Sequence, residues 1–206
     1  MLALLAAPAF AGLLVRAEIS GSDSAPVEIT RTLHADAPAQ STVFVDPVGL
    51  RWEVLVNADG AADRAYAVLH LRVTDDKGRV VGTFAPHLMG GFDKAMEVAA
   101  THPTVPGLYF DLSVVVSRVG AEDDTLARTF FAERGAHTYK FARLARGLEA
   151  DATAQCDDPA LVADTSRGSF ELALTGKFSP GDRLDTRCTV SAPSGTRTLP
   201  VSVSFL

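Results

Sequence analysis

The chain reads as an all-β protein: an immunoglobulin-like antiparallel β-sandwich followed by a smaller β region packed as a second small domain. Three observations predict this. Apolar and polar residues alternate with period two rather than 3.6. The apolar runs are separated by short turn-forming sequences. The chain has 206 residues, 47% apolar and 21% charged, an ordinary globular composition long enough to bury a core without a metal or a dense disulfide framework.

The strands follow in order. GLLVRAEIS (12–20) and VEITRTLHA (27–35) open the chain. RWEVLV (51–56) and VLHLRV (68–73) come next, with Asn57-Ala58-Asp59-Gly60 read as a turn between them. Asp75-Asp76-Lys77-Gly78 closes a hairpin onto RVVGTF. Pro106-Gly107 introduces GLYFDLSVVVSRV (107–119), whose valine triplet predicts a strand buried on both faces. TLARTFFAER, HTYKFARL, SFELALTG, TRCTVSA and LPVSVSFL continue the pattern to residue 206. Only two segments invite a helix. FDKAMEVAA (92–100) suits two turns with Asp93 as N-cap. FARLARGLEADA (141–152) has helical propensity interrupted by Gly147 and also reads as a linker. A boundary near Arg146 therefore divides a sandwich domain (12–146) from a C-terminal β region (147–206) that holds both cysteines.

Residues 1–11 are signal-peptide-like. The run LALLAAPAFAGLLV (2–15) has the length of a signal-peptide core and is too short to span a membrane comfortably. Ala9-Phe10-Ala11 has the small-x-small cleavage pattern, with Gly12 as the mature start, although no basic segment precedes the run. An extracytoplasmic location (periplasm, cell surface or secreted) is expected. The cysteine usage agrees. Cys156 and Cys188 would close a loop of about 33 residues as a disulfide, with no CxxC to suggest redox or zinc chemistry. Such a bridge contributes about 3.5 kcal/mol in the chain-entropy model.

A net charge of −6 with scattered Lys and Arg argues against nucleic-acid binding. The unequal strand lengths argue against an outer-membrane barrel, and no transmembrane segment is expected. Catalytic motifs are missing: there is no G-x-S-x-G, H-E-x-x-H, P-loop or G-x-G-x-x-G. The carboxylate pairs Asp75-Asp76 and Asp157-Asp158, and the run Glu122-Asp123-Asp124, lack calcium-loop spacing and read as turns. Trp52, the single tryptophan, reads as a core residue rather than a sugar-stacking platform.

The most unusual stretch is APHLMGGFDKAMEVAATH (85–102), which holds His87, Met89, Met96 and His102. Thioether and imidazole together suit copper, so these four are the candidate metal ligands. Their spacings of 2, 7 and 6 match no compact motif, and methionine is a common core filler. The expected outcome is that the methionines turn inward and the histidines outward.

The function expected from the sequence is non-enzymatic: a binding, adhesion or assembly module of the cell envelope whose partner is a protein or envelope component, with no cofactor. The alternatives are a periplasmic copper-binding protein and a hydrolase with an unrecognised site.

Overall fold

Alternating residue types become alternating faces. In β1 (Gly12–Gly21), Val15, Ala17 and Ile19 are buried while Arg16 and Glu18 face out. The computed structural model describes residues 12–33, 40–61, 64–119, 125–143, 151–165 and 170–206. Eight further strands follow β1 in the first half: β2 (Val27–Leu33), β3 (Ser41–Val45), β4 (Arg51–Ala61), β5 (Arg64–Thr74), β6 (Val80–Phe84), β7 (His87–Gly91), β8 (Ala95–Thr101) and β9 (Tyr109–Val119). The second half holds β10 (Leu126–Phe130), β11 (His137–Arg143), β12 (Thr153–Cys156), β13 (Leu161–Asp164), β14 (Phe170–Gly176), β15 (Arg183–Ala192) and β16 (Gly195–Phe205). No helix occurs among the described residues.

Two antiparallel sheets enclose the first core. One has the order β2-β1-β9-β8, the other β3-β4-β5-β6, with β7 paired to the part of β5 that β6 leaves free. Ile19, Phe110, Leu112 and Val114 from the first sheet share a cluster with Trp52, Val54, Leu69 and Leu71 from the second. Trp52 is fully buried there. Phe44 and Phe84 stack on it with centroids 5.8 and 6.2 Å away, and its Nε1 donates to Asp46 Oδ2 at 3.0 Å. Asp46 also accepts the backbone N–H groups of Val48 and Leu50. The ring is therefore held in-plane by a charged acceptor and on both faces by aromatics.

The second core has its own pair of sheets. β10-β16-β15-β12 form one, with β10 parallel to β16 and the other pairs antiparallel; β11-β14-β13 form the other, all antiparallel. Leu126, Phe130, Phe141, Phe170, Leu174 and Val203 pack between them. Cys156 and Cys188 stand opposite each other in the β12–β15 pair and form the expected disulfide.

Several expectations change. Residues 95–101 are strand β8, not helix, and Asp93 lies in a turn with φ of 59°. Pairing with β9 lets Met96 turn into the core with Val98 and Ala100 packed beside it, which outweighs helical propensity. Phe141–Arg143 belong to strand β11, while 144–150 lie outside the described residues, as does the expected boundary near Arg146. The buried cores separate earlier: the first cluster ends at Val116 and the second begins at Leu126. β10 and β11, assigned by sequence to the first domain, pack in the second core. Val114 and Val116 are buried but Val115 is only half-buried, so β9 has one outward face. Asn57–Gly60 are not a turn but the end of β4. The signal-like residues 1–11 and the acidic run 122–124 lie outside the described residues.

Candidate functional site

The 85–102 stretch crosses from one sheet to the other. β7 pairs with β5, the chain turns at 92–94, and β8 pairs with β9. Along β7 the side chains alternate. His87 and Met89 point outward, and Met89 is 52% exposed. Gly90 faces inward, where a Cβ would come within 2.8 Å of Met96 Cγ. Met96 is 7% exposed and belongs to the core.

The β7 backbone thus lies between the two thioethers. Met96 turns inward, whereas Met89 faces outward against the expectation, because β7 needs a backbone-sized residue at 90 to receive Met96. The four candidate ligands have separate neighbours. His87 Nδ1 is 2.5 Å from the Tyr66 hydroxyl. Met89 Sδ accepts from Arg64 at 3.5 Å. His102 packs edge-on against Phe84 at 5.3 Å and faces Thr104. Among the described residues no group of three or more His, Cys, Asp or Glu side chains is placed to hold a metal ion.

What the stretch does form is a cleft. Around the β7–β8 turn a cavity of about 730 Å³ is lined by Arg64, Met89, Gly90, Gly91, Phe92, Asp93, Lys94 and Arg118. The Phe92 ring fills the space above Gly60 of β4, where a Cβ would lie 2.2 Å from it. Arg118, at the end of β9, lays its guanidinium over the other part of that ring, 4.2 Å from the centroid. β4 and β9 therefore converge on one aromatic ring held in the β7–β8 turn.

A second constellation lies on the outward face of β4 and β5, beneath β10. Leu55 is fully buried on that face although it belongs to neither core. Val68 is buried as well, and Phe131 follows β10 at 8% exposure. Asn57 donates to Thr129 O at 2.9 Å and accepts from Thr129 N–H at 2.7 Å. Arg128, 5% exposed, donates to Ala58 O at 3.3 Å and approaches Asp59 Oδ2 at 3.5 Å. Arg72 covers the Phe131 ring at 3.9 Å, and His70 meets Phe130 at 5.3 Å. This is a seam that joins the two sandwiches.

The seam perturbs its ionisable groups. His70 is pushed down to about 4 by burial, with further contributions from His87 and Arg128. Tyr66 is raised by burial; Arg128 opposes that rise and Asp59 adds to it. The partners of His70, His87, His102 and His137 are aromatic rings and hydroxyl groups, with a backbone N–H at His102. Among the described residues no carboxylate is one of these partners, so the described geometry shows no carboxylate orienter of the kind a hydrolytic triad uses.

The sequence reading missed the seam. Asn57 and Asp59 look like turn residues, and Arg128 looks like a surface position of an alternating strand. The signal that could have revealed them is parity. Leu55, Asn57 and Asp59 share one face of β4, and a leucine on that face implies a cover.

Comparison of the chain with protein-family models, with curated proteins and with solved structures finds no match. No helix of the described residues is long and apolar enough to cross a membrane.

Proposed function

We propose that the chain is an exported, non-enzymatic β-sandwich protein that acts as a binding, adhesion or assembly module of the cell envelope. The observation that carries this reading is the edge strand β3. Among the described strands it pairs with β4 alone, and its outer face presents Val43 and Val45 at 43% and 62% exposure, followed by Val48 at 71%. Native edges are usually blunted by charge, proline or a bulge. Ser41–Val45 carries none of these guards, which suits addition of a partner strand.

The disulfide supports a compartment outside the reducing cytoplasm. The sequence reading assigns an immunoglobulin-like sandwich to the first domain; the strand order that suits such a reading lies in the second unit. Lettered A to G in chain order, its sheets hold B-E-D and A-G-F-C. Its disulfide departs from the immunoglobulin pattern by joining C to F within one sheet rather than bridging two sheets.

Two measurements test the proposal on the full chain in cells. Fractionation followed by thiol labelling is expected to find the protein outside the cytoplasm with both cysteines blocked. A cytoplasmic protein with free thiols sinks the export half. A photo-crosslinking residue at Val45 is expected to give a discrete adduct, while one at Val162, exposed on β13, gives none. Adducts at both positions, or at neither, overturn the assignment to β3.

A further inference from the structure

β7 separates the two methionines of the described residues into opposite chemical settings. Met96 is buried beneath the β7 backbone, where a Cβ at Gly90 would come within 3.1 Å of its sulfur. Met89, one position before Gly90, turns to the other face and is 52% exposed. It belongs to neither core cluster, so a change at its sulfur leaves the cores intact. Its cross-strand partner is Tyr66, whose hydroxyl is engaged with His87 Nδ1. Arg64 Nη1 donates to Met89 Sδ at 3.5 Å. A thioether sulfur has two lone pairs and is a weak acceptor. A donor at one lone pair leaves the other open to an electrophile.

We propose that Met89 is a reversible oxidation site with a hydroperoxide as its oxidant. The free lone pair of Sδ attacks the terminal peroxide oxygen. An S–O bond forms, the O–O bond breaks, and the proton of the transferred hydroxyl passes to the leaving alkoxide or hydroxide. The sulfur loses two electrons and the peroxide gains them, giving the sulfoxide and an alcohol, or water from hydrogen peroxide. Met89 offers the open approach that this step needs, and Met96 does not. Arg64 is a positioning residue: it stands at one lone pair, so oxygen enters at the other and one sulfoxide epimer predominates. The restoring reaction is reduction of that epimer by two thiols, which leave as a disulfide and water. Each class of methionine sulfoxide reductase accepts one epimer. Oxidation puts a polar, chiral group where an apolar one stood, on the outward face of β7 and without loss of the strand. The inference goes beyond the strand-addition reading and does not rest on β3.

The test treats the folded full chain with hydrogen peroxide. Trypsin cleaves after Lys94, so Met89 and Met96 fall on separate peptides for mass spectrometry. Met89 is expected to gain one oxygen atom about tenfold faster than Met96, or more, and the two rates are expected to converge in urea. Equal rates in the folded chain, or a Met89 that reacts only in urea, overturn the site. The oxidised, folded chain is then given to the two reductase classes separately. One class is expected to restore Met89 and the other to leave it oxidised. Restoration by neither overturns the reversibility, and restoration of about half by each overturns the role of Arg64. Arg64→Ala, at the exposed start of β5, is expected to yield both epimers while circular dichroism stays native. A single epimer in that variant also overturns the positioning role. If the variant does not fold, the native chain oxidised in urea and then refolded supplies the same comparison, and it too is expected to yield both epimers.

Discussion

The side chain of Asn57 grips the backbone of Thr129 at both polar atoms, donating to its carbonyl at 2.9 Å and accepting from its N–H at 2.7 Å. An amide side chain thereby pairs with β10 as a neighbouring strand would. It satisfies two backbone groups on the side of β10 that no described strand covers, and it does so at the point where the two sandwiches meet.

Removing that grip separates the effects of polarity and packing. Asn57→Ala strands the Thr129 N–H and C=O beside buried neighbours, and the expected loss is about 2–4 kcal/mol. Urea denaturation read by circular dichroism checks it. A loss below about 0.5 kcal/mol would show that water replaces the amide and that the seam is not tight.

Acid should loosen the same seam. His70 titrates near 4 in the fold and near 6.5 when unfolded, so the folded state binds fewer protons between those values. Its contribution is fully present above pH 6.5 and is lost as pH falls towards 4, by at most on the order of 3 kcal/mol. The charged groups that act on it are His87 from β7 and Arg128 from β10, and Phe130 packs against its ring. Glu53, Asp75 and Asp185 are held below the usual carboxylate range, so they lose their contributions only at lower pH. Thermal melts from about pH 4.5 to 7 should rise steeply for the native chain and more shallowly for His70→Gln. Parallel slopes would refute the assignment.

Crowding around the single tryptophan gives a third expectation. A Cβ at Gly21 would stand 2.6 Å from the Trp52 ring. Phe44, Phe84 and the Asp46 hydrogen bond leave the ring no room to retreat. Gly21→Ala should therefore cost about 2–3 kcal/mol and alter the tryptophan emission of the folded protein. A variant with native emission and native stability would mean that β1 shifts instead.

The disulfide should act on one unit more than the other. Cys156 and Cys188 are 32 residues apart and both lie in the second sandwich. Reduction, or Cys156→Ser with Cys188→Ser, should destabilise that unit by about 3.5 kcal/mol. Trp52 reports the first unit by fluorescence, so a reduced protein should lose β circular dichroism before its tryptophan signal changes. Coincident loss of both signals would show that the seam makes the two units unfold as one.

Much of the fold is legible because strand burial imposes a two-residue period that a sequence displays directly. β1, β5, β9 and β14 read that way, as do the Asp75–Gly78 turn and the disulfide. The errors share one cause. Residues 92–100 look helical when taken alone, because alanine, methionine and glutamate favour a helix locally; only β9 beside β8 makes a strand the better burial. Asn57 and Asp59 look like turn residues because polar side chains usually mean solvent. Here they meet β10, more than sixty residues away in the chain.

The sequence by itself determined the all-β class, the cysteine pair and the stretch in which methionine and histidine gather. Tertiary structure decided what that stretch does with its side chains. Gly90 admits Met96 to the core and sends Met89 to the surface, which separates the thioethers and leaves Arg64, Lys94 and Arg118 around one cleft. It also decided where the first core ends, near Val116 rather than Arg146. The physical reason is the same in both cases. Local pattern dictates which way a residue faces, but only the packing of distant strands dictates what it faces.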